Sequence, residues 1–195
     1  MTYPEFYGSD YEQLKQTRRV LTLKIERMMN ECRTEEDLQP IVYHCSRIKS
    51  PDSAVSKLRR YGLPVTREAA LNDIYDAVGV RVICSFTGDV MNVVEAFEND
   101  PDVELIEKKD YLTHPKPNGY RSVHLRVRVV ETGMLAEVQI RTIAMDFWAT
   151  LEHQLKYKKS ISHEGLIMGE LKRCADEIAS VDISMQTIRE IIKEI

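Results

Sequence analysis

The run V-G-V-R-V-I-C-S from Val78 to Ser85 constrains the fold more than any other segment. Its β-branched and apolar residues suit a buried strand, one that lies inside a sheet and not at its edge. The surrounding sequence supplies the elements to enclose it. Tyr11, Leu14, Leu21, Ile25 and Met28 share one helical face and predict a first helix over about residues 9–31. Thr34 and Asp37 resemble a capping box opening a short second helix that Pro40 ends. Residues 41–49 read as a strand, and Ser50-Pro51-Asp52 starts a helix running to about Gly62. Val90 to Phe97 gives a helix after the buried strand, 103–112 a further strand, and T-H-P-K-P-N-G from Thr113 to Gly119 a stiff loop.

Two alternating strands follow, 122–130 and 134–140, joined at Thr132-Gly133. A two-residue turn there sets Glu131 opposite Met134, and hence Arg128 opposite Glu137 and Arg126 opposite Gln139. Ser122, His124, Arg126 and Arg128 then project on the same side as Glu137, Gln139 and Arg141, a mixture suited to acid/base work beside phosphates. A helix from Ile143 to about Tyr157 and a long C-terminal helix from about Glu164 complete an α/β chain. In the last helix Leu171, Cys174, Ile178, Val181, Met185, Ile188, Ile192 and Ile195 are spaced 3, 4, 3, 4, 3, 4, 3, a heptad seam. Such a seam needs a partner, either the chain's own first helix or a second copy, and oligomerisation is the favoured expectation.

At 195 residues, with 43% hydrophobic and 30% charged residues, the chain suits one core, and no apolar run approaches the roughly 20 residues of a bilayer span. No basic-then-apolar leader is present, so a cytoplasmic location without membrane attachment is expected. Cys32, Cys45, Cys84 and Cys174 lie far apart with no Cys-x-x-Cys pair, which argues for reduced thiols and against a zinc cage. The net charge of -4 hides two basic windows. Residues 41–60 carry Arg47, Lys49, Lys57, Arg59 and Arg60 against Asp52 alone, and residues 108–128 carry Lys108, Lys109, Lys116, Arg121, Arg126 and Arg128 against Asp110. Charge segregated in this way suits a compact polyanion such as a nucleotide, and no stable nucleic-acid partner is expected.

Within those windows, Arg47 and Lys49 alternate on a strand and Lys57 and Arg60 lie one turn apart on the next helix, a cationic cradle whose helix N-terminus at Ser50 to Ser53 adds backbone donors. Neither a P-loop nor a Gly-x-Gly-x-x-Gly motif is present. Asp76, just before the buried strand, and Glu137 could together hold Mg²⁺ beside substrate phosphates, although lone acids near strand ends are also common without such a role. Tyr120, after Asn118-Gly119, is placed either to stack on a base or to anchor its loop.

The strings R-I-K-S-x-x-S-A-x-x-K-L-R-R from Arg47, D-A-V-G-V-R-V-I-C from Asp76, Y-L-x-x-P-K-P-N-G-Y-R-S-V-H-L from Tyr111, E-V-Q-I-R-T from Glu137 and D-F-W-A-T-L-E-H from Asp146 stand in the order found in the RelA/SpoT family, which this chain resembles. The resemblance implies a nucleotidyltransferase-like mixed sheet flanked by helices, with residues 1–163 as a synthetase domain and 164–195 as its oligomerising helix, a homotetramer being the expected assembly. It implies transfer of the β,γ-pyrophosphate of ATP to the 3′-hydroxyl of GDP or GTP, with release of AMP. By the same resemblance, Arg47 and Arg81 would sandwich adenine, and Lys49, Ser53, Lys57 and Arg60 would hold the ATP phosphates. Asp76 and Glu137 would bind Mg²⁺, Glu137 also orienting or deprotonating the acceptor hydroxyl. Tyr120 would stack on guanine, Lys109, Lys116 and His124 would meet acceptor phosphates, and Gln139 would position the acceptor nucleotide.

Asp146 stands where relatives often carry Asn, and its carboxylate would suit the guanine N1–H and N2–H₂ edge. Tyr43 and Cys45 stand where the subgroup with an allosteric pppGpp site has Phe and Thr, which counts against that regulation. The chain holds no His-Asp dipeptide, so hydrolase activity is not expected. Two other readings fit the same sequence: the same transfer onto the 3′ end of tRNA, and a catalytically dead nucleotide or RNA sensor.

Overall fold

The computed structural model describes residues 1–31, 39–157 and 164–194. The elements are α1 (Tyr3–Tyr7), α2 (Asp10–Glu31), β1 (Ile41–Ile48), α3 (Pro51–Arg60), α4 (Arg67–Asn72), β2 (Val78–Cys84), α5 (Thr87–Glu98), β3 (Val103–Asp110), β4 (Val123–Val129), β5 (Leu135–Thr142), α6 (Ile143–Tyr157) and α7 (Glu164–Glu194). The helix expected over 34–40 falls mainly outside the described residues. Thr2 caps α1 through a capping box with Glu5, and Thr66 caps α4 by accepting from the Ala69 amide. Both short helices are absent from the sequence-based reading, although their caps are legible.

The five strands form one sheet in the order β1-β2-β5-β4-β3, antiparallel except for the parallel β2–β5 pair. The Val78–Ser85 run is an inner strand, as expected. One sheet face carries Val78, Val80, Val82, Val123, Leu125, Val127, Ala136, Val138 and Ile140, which join Leu14, Leu21 and Ile25 of α2 and Val90, Val94 and Phe97 of α5 in a single core. Strand side chains alternate faces, so the partner positions of β2, β4 and β5 all point the other way, toward the site.

The β4–β5 connection differs from expectation. Arg126 faces Glu137 and His124 faces Gln139, a register two residues away from that of a two-residue turn. The Val129 amide donates to Met134 O at 3.0 Å, and Val129 O accepts from Thr132 and Gly133, so the loop spans the four residues 130–133. Gly133 ends it at φ 69°, a conformation glycine adopts without steric cost. A shift of two leaves every side chain on its predicted face, which is why the polar side of the hairpin survives the correction.

A bulge between Leu105 and Glu107 has the opposite effect on β3. Val103 and Leu105 oppose core residues of β4, whereas beyond the bulge Glu107 and Lys109 oppose Arg126 and His124. The extra residue transfers odd positions from the core face to the polar face and so brings Lys109 into line with the site.

The long helix α7 beds on α6 and α5 and not on α2. Its inward positions are Ala175 and Asp182, with the Gln186 side-chain oxygen accepting from the Gly88 amide and Arg189 paired to buried Asp89 at 2.6 Å. The predicted seam divides: Leu171, Cys174 and Ile178 are partly buried, whereas Val181, Met185, Ile188 and Ile192 are exposed, one position over from the bed. Ile195 lies outside the described residues.

Candidate active site

Sheet register builds the polar face as two cross-strand rows. One runs Arg47, Gly79, Glu137, Arg126, Glu107, and the next runs Cys45, Arg81, Gln139, His124, Lys109. Arg47, Asp76, Arg81, Glu137 and Gln139 line a cavity of about 310 Å³, with Cys45 and Gly79 on its floor. A side chain at 79 would stand 4.0 Å from Arg47 Cγ, so glycine keeps the space between Arg47 and Glu137 open.

Asp76 sits at one end of this cavity, clasped by two lysines. Lys49 Nζ donates to its Oδ2 at 2.6 Å, and Lys57 Nζ lies 2.9 Å from Oδ1. The second approach is out of line for a hydrogen bond, which leaves Oδ1 buried without one. The cradle is fixed from behind. Lys49 is buried, its amide donates to Ala77 O at 2.8 Å, and its carbonyl accepts from the Tyr7 hydroxyl at 2.8 Å, so α1 locks the chain between β1 and α3. Ser53 and Arg60 differ from the expected cradle. Both are exposed on α3, Ser53 Oγ accepting from Ser50 and Arg60 lying over the Tyr61 ring, apart from the cavity lining.

Glu137 joins the cavity to a second arm. Its Oε2 accepts from Gln139 Nε2 at 2.9 Å, and its Oε1 accepts from His124 Nδ1 at 3.3 Å. Nε2 of the same ring meets the Tyr120 hydroxyl at 2.8 Å. Tyr120 packs edge-on against Tyr111 and His124, with Lys116 Nζ 4.9 Å from its ring centre. Burial disfavours the charged Glu137 carboxylate, but the hydrogen bond and charge of His124, the Gln139 amide and the Lys57 ammonium outweigh it and bring its pKa from 4.5 to about 2. Burial likewise pushes the Tyr120 phenol up.

The Glu137 shift fixes the sign of a pH effect. A carboxyl whose folded pKa is depressed stabilises the fold above its unfolded value and loses that contribution as pH falls through the folded one. The stability gap between wild type and Glu137→Gln should therefore be full above about pH 5 and close progressively between pH 4.5 and 2. Chemical denaturation at a series of pH values checks this, and a gap that widens on acidification would overturn it.

Asp146 meets Arg81 Nη1 at 3.4 Å and Arg141 Nε at 3.1 Å, both on Oδ1. Arg141, two residues beyond Gln139 on the same face, is almost wholly buried, and burial lowers its pKa. The structure thus uses Asp146 to hold two arginines, a role missed in the sequence, where only its fit to a guanine edge was considered. Several charges of the second basic window are also spent on neighbours: Lys108 pairs with Glu98, Arg121 with Asp176 and Arg128 with Glu104. Lys109 is on the site face but lies 3.5 Å from Glu107.

Residues 46–162, more than half of the chain, match the family model described as the region found in RelA/SpoT proteins. The chain belongs to the RelA/SpoT family. Among its relatives, the GTP pyrophosphokinase YwaC of Bacillus subtilis is 42% identical over 161 residues, covering 77% of this chain and 75% of its own. The RelA/SpoT fold is shared with the solved small alarmone synthetase 1 of Bacillus subtilis bound to its product pppGpp, at TM-score 0.82 and 32% identity, covering 92% of this chain and 94% of that one. A GTP pyrophosphokinase family protein from Streptococcus pneumoniae superimposes at TM-score 0.84 and 33% identity over 100% of this chain and 97% of its own. The mixed sheet, flanking helices and long C-terminal helix expected of a RelA/SpoT synthetase domain are those observed.

Proposed function

We propose that this RelA/SpoT protein is a GTP pyrophosphokinase that transfers the β,γ-pyrophosphate of ATP to the 3′-hydroxyl of GDP or GTP, giving (p)ppGpp and AMP. The observation that carries this reading is Glu137, an ionised carboxylate at the junction between the cationic cavity and the His124–Tyr120 arm. The bond from Pβ of ATP to the oxygen bridging it to Pα breaks as the acceptor oxygen bonds Pβ, AMP leaves with that bridging oxygen, and the hydroxyl proton passes to Glu137. Arg47 and Arg81 face the adenine, Lys49 and Lys57 the donor phosphates, and Ser53 and Arg60 the phosphate tail from the rim of α3. Tyr120 stacks on guanine, while Lys109, Lys116 and His124 meet the acceptor phosphates and Gln139 and Asp146 fix the acceptor nucleotide. Such transfer relies on positioning and charge neutralisation more than on covalent chemistry.

Asp76 and Glu137 fit Mg²⁺. Both line one cavity, and Asp76 Oδ1 has no hydrogen bond, its partner being the Lys57 ammonium 2.9 Å away, with which a bound ion would share the carboxylate. Mg²⁺ commonly keeps several waters and binds through one or two carboxylates plus substrate phosphates, and two carboxylates are what this cavity offers. When bound, Mg²⁺ neutralises charge on the transferred phosphates. Purified protein given Mg²⁺, ATP and GDP or GTP should release AMP and form a 3′-pyrophosphorylated guanine nucleotide. Product formed only with deacylated tRNA, or none with any acceptor, would overturn the reading.

The exposed stripe Val181, Met185, Ile188 and Ile192 supports self-association through α7, a tetramer in this reading. Ile178 is partly buried beside Trp148, so a clean test changes Met185 and Ile192. Met185→Glu with Ile192→Glu should reduce the mass found by light scattering to that of the monomer, because like charges would be brought together across the seam. An unchanged mass, or a monomeric wild type, would rule this out. No described helix is long and apolar enough to cross a membrane, and a cytoplasmic site of action is part of the same proposal.

A further inference from the structure

Asp76 is presented by an unusual piece of backbone. Its amide donates to Ile74 O at 2.7 Å, closing a three-residue turn, and the central residue, Tyr75, has φ 55°. Tyr75 is the only non-glycine residue with positive φ among those described. A γ-turn of this hand is rare and strained, and a bulky side chain at its centre adds to the strain. The turn is pinned at both ends, since Ile74 and Ala77 are buried in the core, and Ile74 O also accepts from Lys57 Nζ at 3.2 Å. The Tyr75 ring is gripped in turn: the Arg126 guanidinium lies 4.4 Å from its centre and is itself paired with Glu107. Arg126 is the cross-strand neighbour of Glu137. One stacked contact therefore ties the turn that carries one proposed metal carboxylate to the strand position opposite the other.

We infer that Tyr75 is a positioning residue, whose ring, clamped by Arg126, holds the strained turn that aims Asp76 into the cavity beside Glu137. Strain retained at a functional site persists only where the surroundings over-determine it. The Glu107–Arg126–Tyr75 stack supplies that constraint. The inference rests on the reading of Asp76 as a metal ligand, and the variants are chosen to separate the two.

Glycine at 75 accommodates φ 55° without a side-chain penalty but removes the ring, whereas phenylalanine keeps the ring. For Tyr75→Gly, kcat should fall at least tenfold with KM for ATP and GDP within about twofold, and the melting temperature should stay within a few degrees of wild type. Calorimetric titration with a non-hydrolysable ATP analogue should show unchanged affinity without Mg²⁺ and a markedly smaller gain on adding it. Tyr75→Phe should restore both turnover and the Mg²⁺ gain to within about twofold. A Tyr75→Gly enzyme with normal kcat, one altered only in KM for ATP, or one that melts far below wild type would each overturn the positioning role. Asp76→Asn distinguishes the two failures. If it keeps both turnover and the Mg²⁺ gain, the reading of Asp76 fails; if it loses both while Tyr75→Gly keeps them, only the role of Tyr75 fails.

Discussion

Glu137→Gln is expected to lower synthetase turnover by about 10² to 10⁴ or more, while leaving the sheet intact. The substitution keeps side-chain size, and the backbone of β5 stays paired with β2 and β4 on either side. What changes is chemistry. Two donors, His124 Nδ1 and Gln139 Nε2, converge on the two carboxylate oxygens, and an amide offers only one acceptor oxygen to them. The variant has neither the negative charge proposed to hold a metal nor the base proposed for the acceptor hydroxyl. Release of AMP from ATP in the presence of GDP measures the loss, and circular dichroism checks the fold. Turnover above a tenth of wild type would falsify the role given to this residue.

The second large effect concerns stability. Gly119 has φ 89°, and a Cβ there would lie 2.5 Å from the Ala175 Cβ and 3.4 Å from the Lys172 Cα on α7. Gly119→Ala should cost roughly 1–2 kcal/mol for the left-handed backbone and a further 1–3 kcal/mol for overpacking. For a chain of this size that is a fall of roughly 5–20 °C in melting temperature. Ala175→Gly in the same chain should recover the overpacking part and leave the backbone part. Gly119 also precedes Tyr120 in a turn closed by its amide donating to Lys116 O at 2.8 Å, so the single variant should weaken acceptor binding as well. Wild-type thermal stability in Gly119→Ala would show that α7 does not press on this loop.

Much of the polar face is legible in the sequence because strand alternation is insensitive to register shifts of two. The β4–β5 register that a two-residue turn predicts is two residues from the observed one, yet both put His124, Glu137 and Gln139 on one face, since an even shift preserves parity. The pairing of Asp76 with Lys49 and Lys57 could not be read in this way, because it depends on how the loop before β2 folds back on α3. Tyr75 gave no signal either: tyrosine is a poor candidate for positive φ, and only its surroundings place it there. The tyrosine of α1 that holds Lys49 lay outside every periodic pattern. The heptad seam was read correctly as a pattern, but the sequence did not show that the helix beds on the neighbouring stripe, through Ala175, Asp182 and Arg189.

The strand order carries a consequence for how the protein comes into being. β5 is the last strand in the chain and the middle strand of the sheet, inserted between an antiparallel β1–β2 pair and an antiparallel β4–β3 pair. During synthesis those two pairs leave the ribosome first, with no strand in common. Lys49, Lys57, Asp76 and Arg81 belong to one half, and Lys109, Tyr120 and His124 to the other. Glu137 arrives on the strand that bolts the halves together, and the long chain separation between β2 and β5 makes that pairing a slow, non-local step. A nascent or truncated chain ending before Leu135 thus holds both sets of side chains but no surface on which they meet, and the proposed catalysis begins only when the final strand has docked.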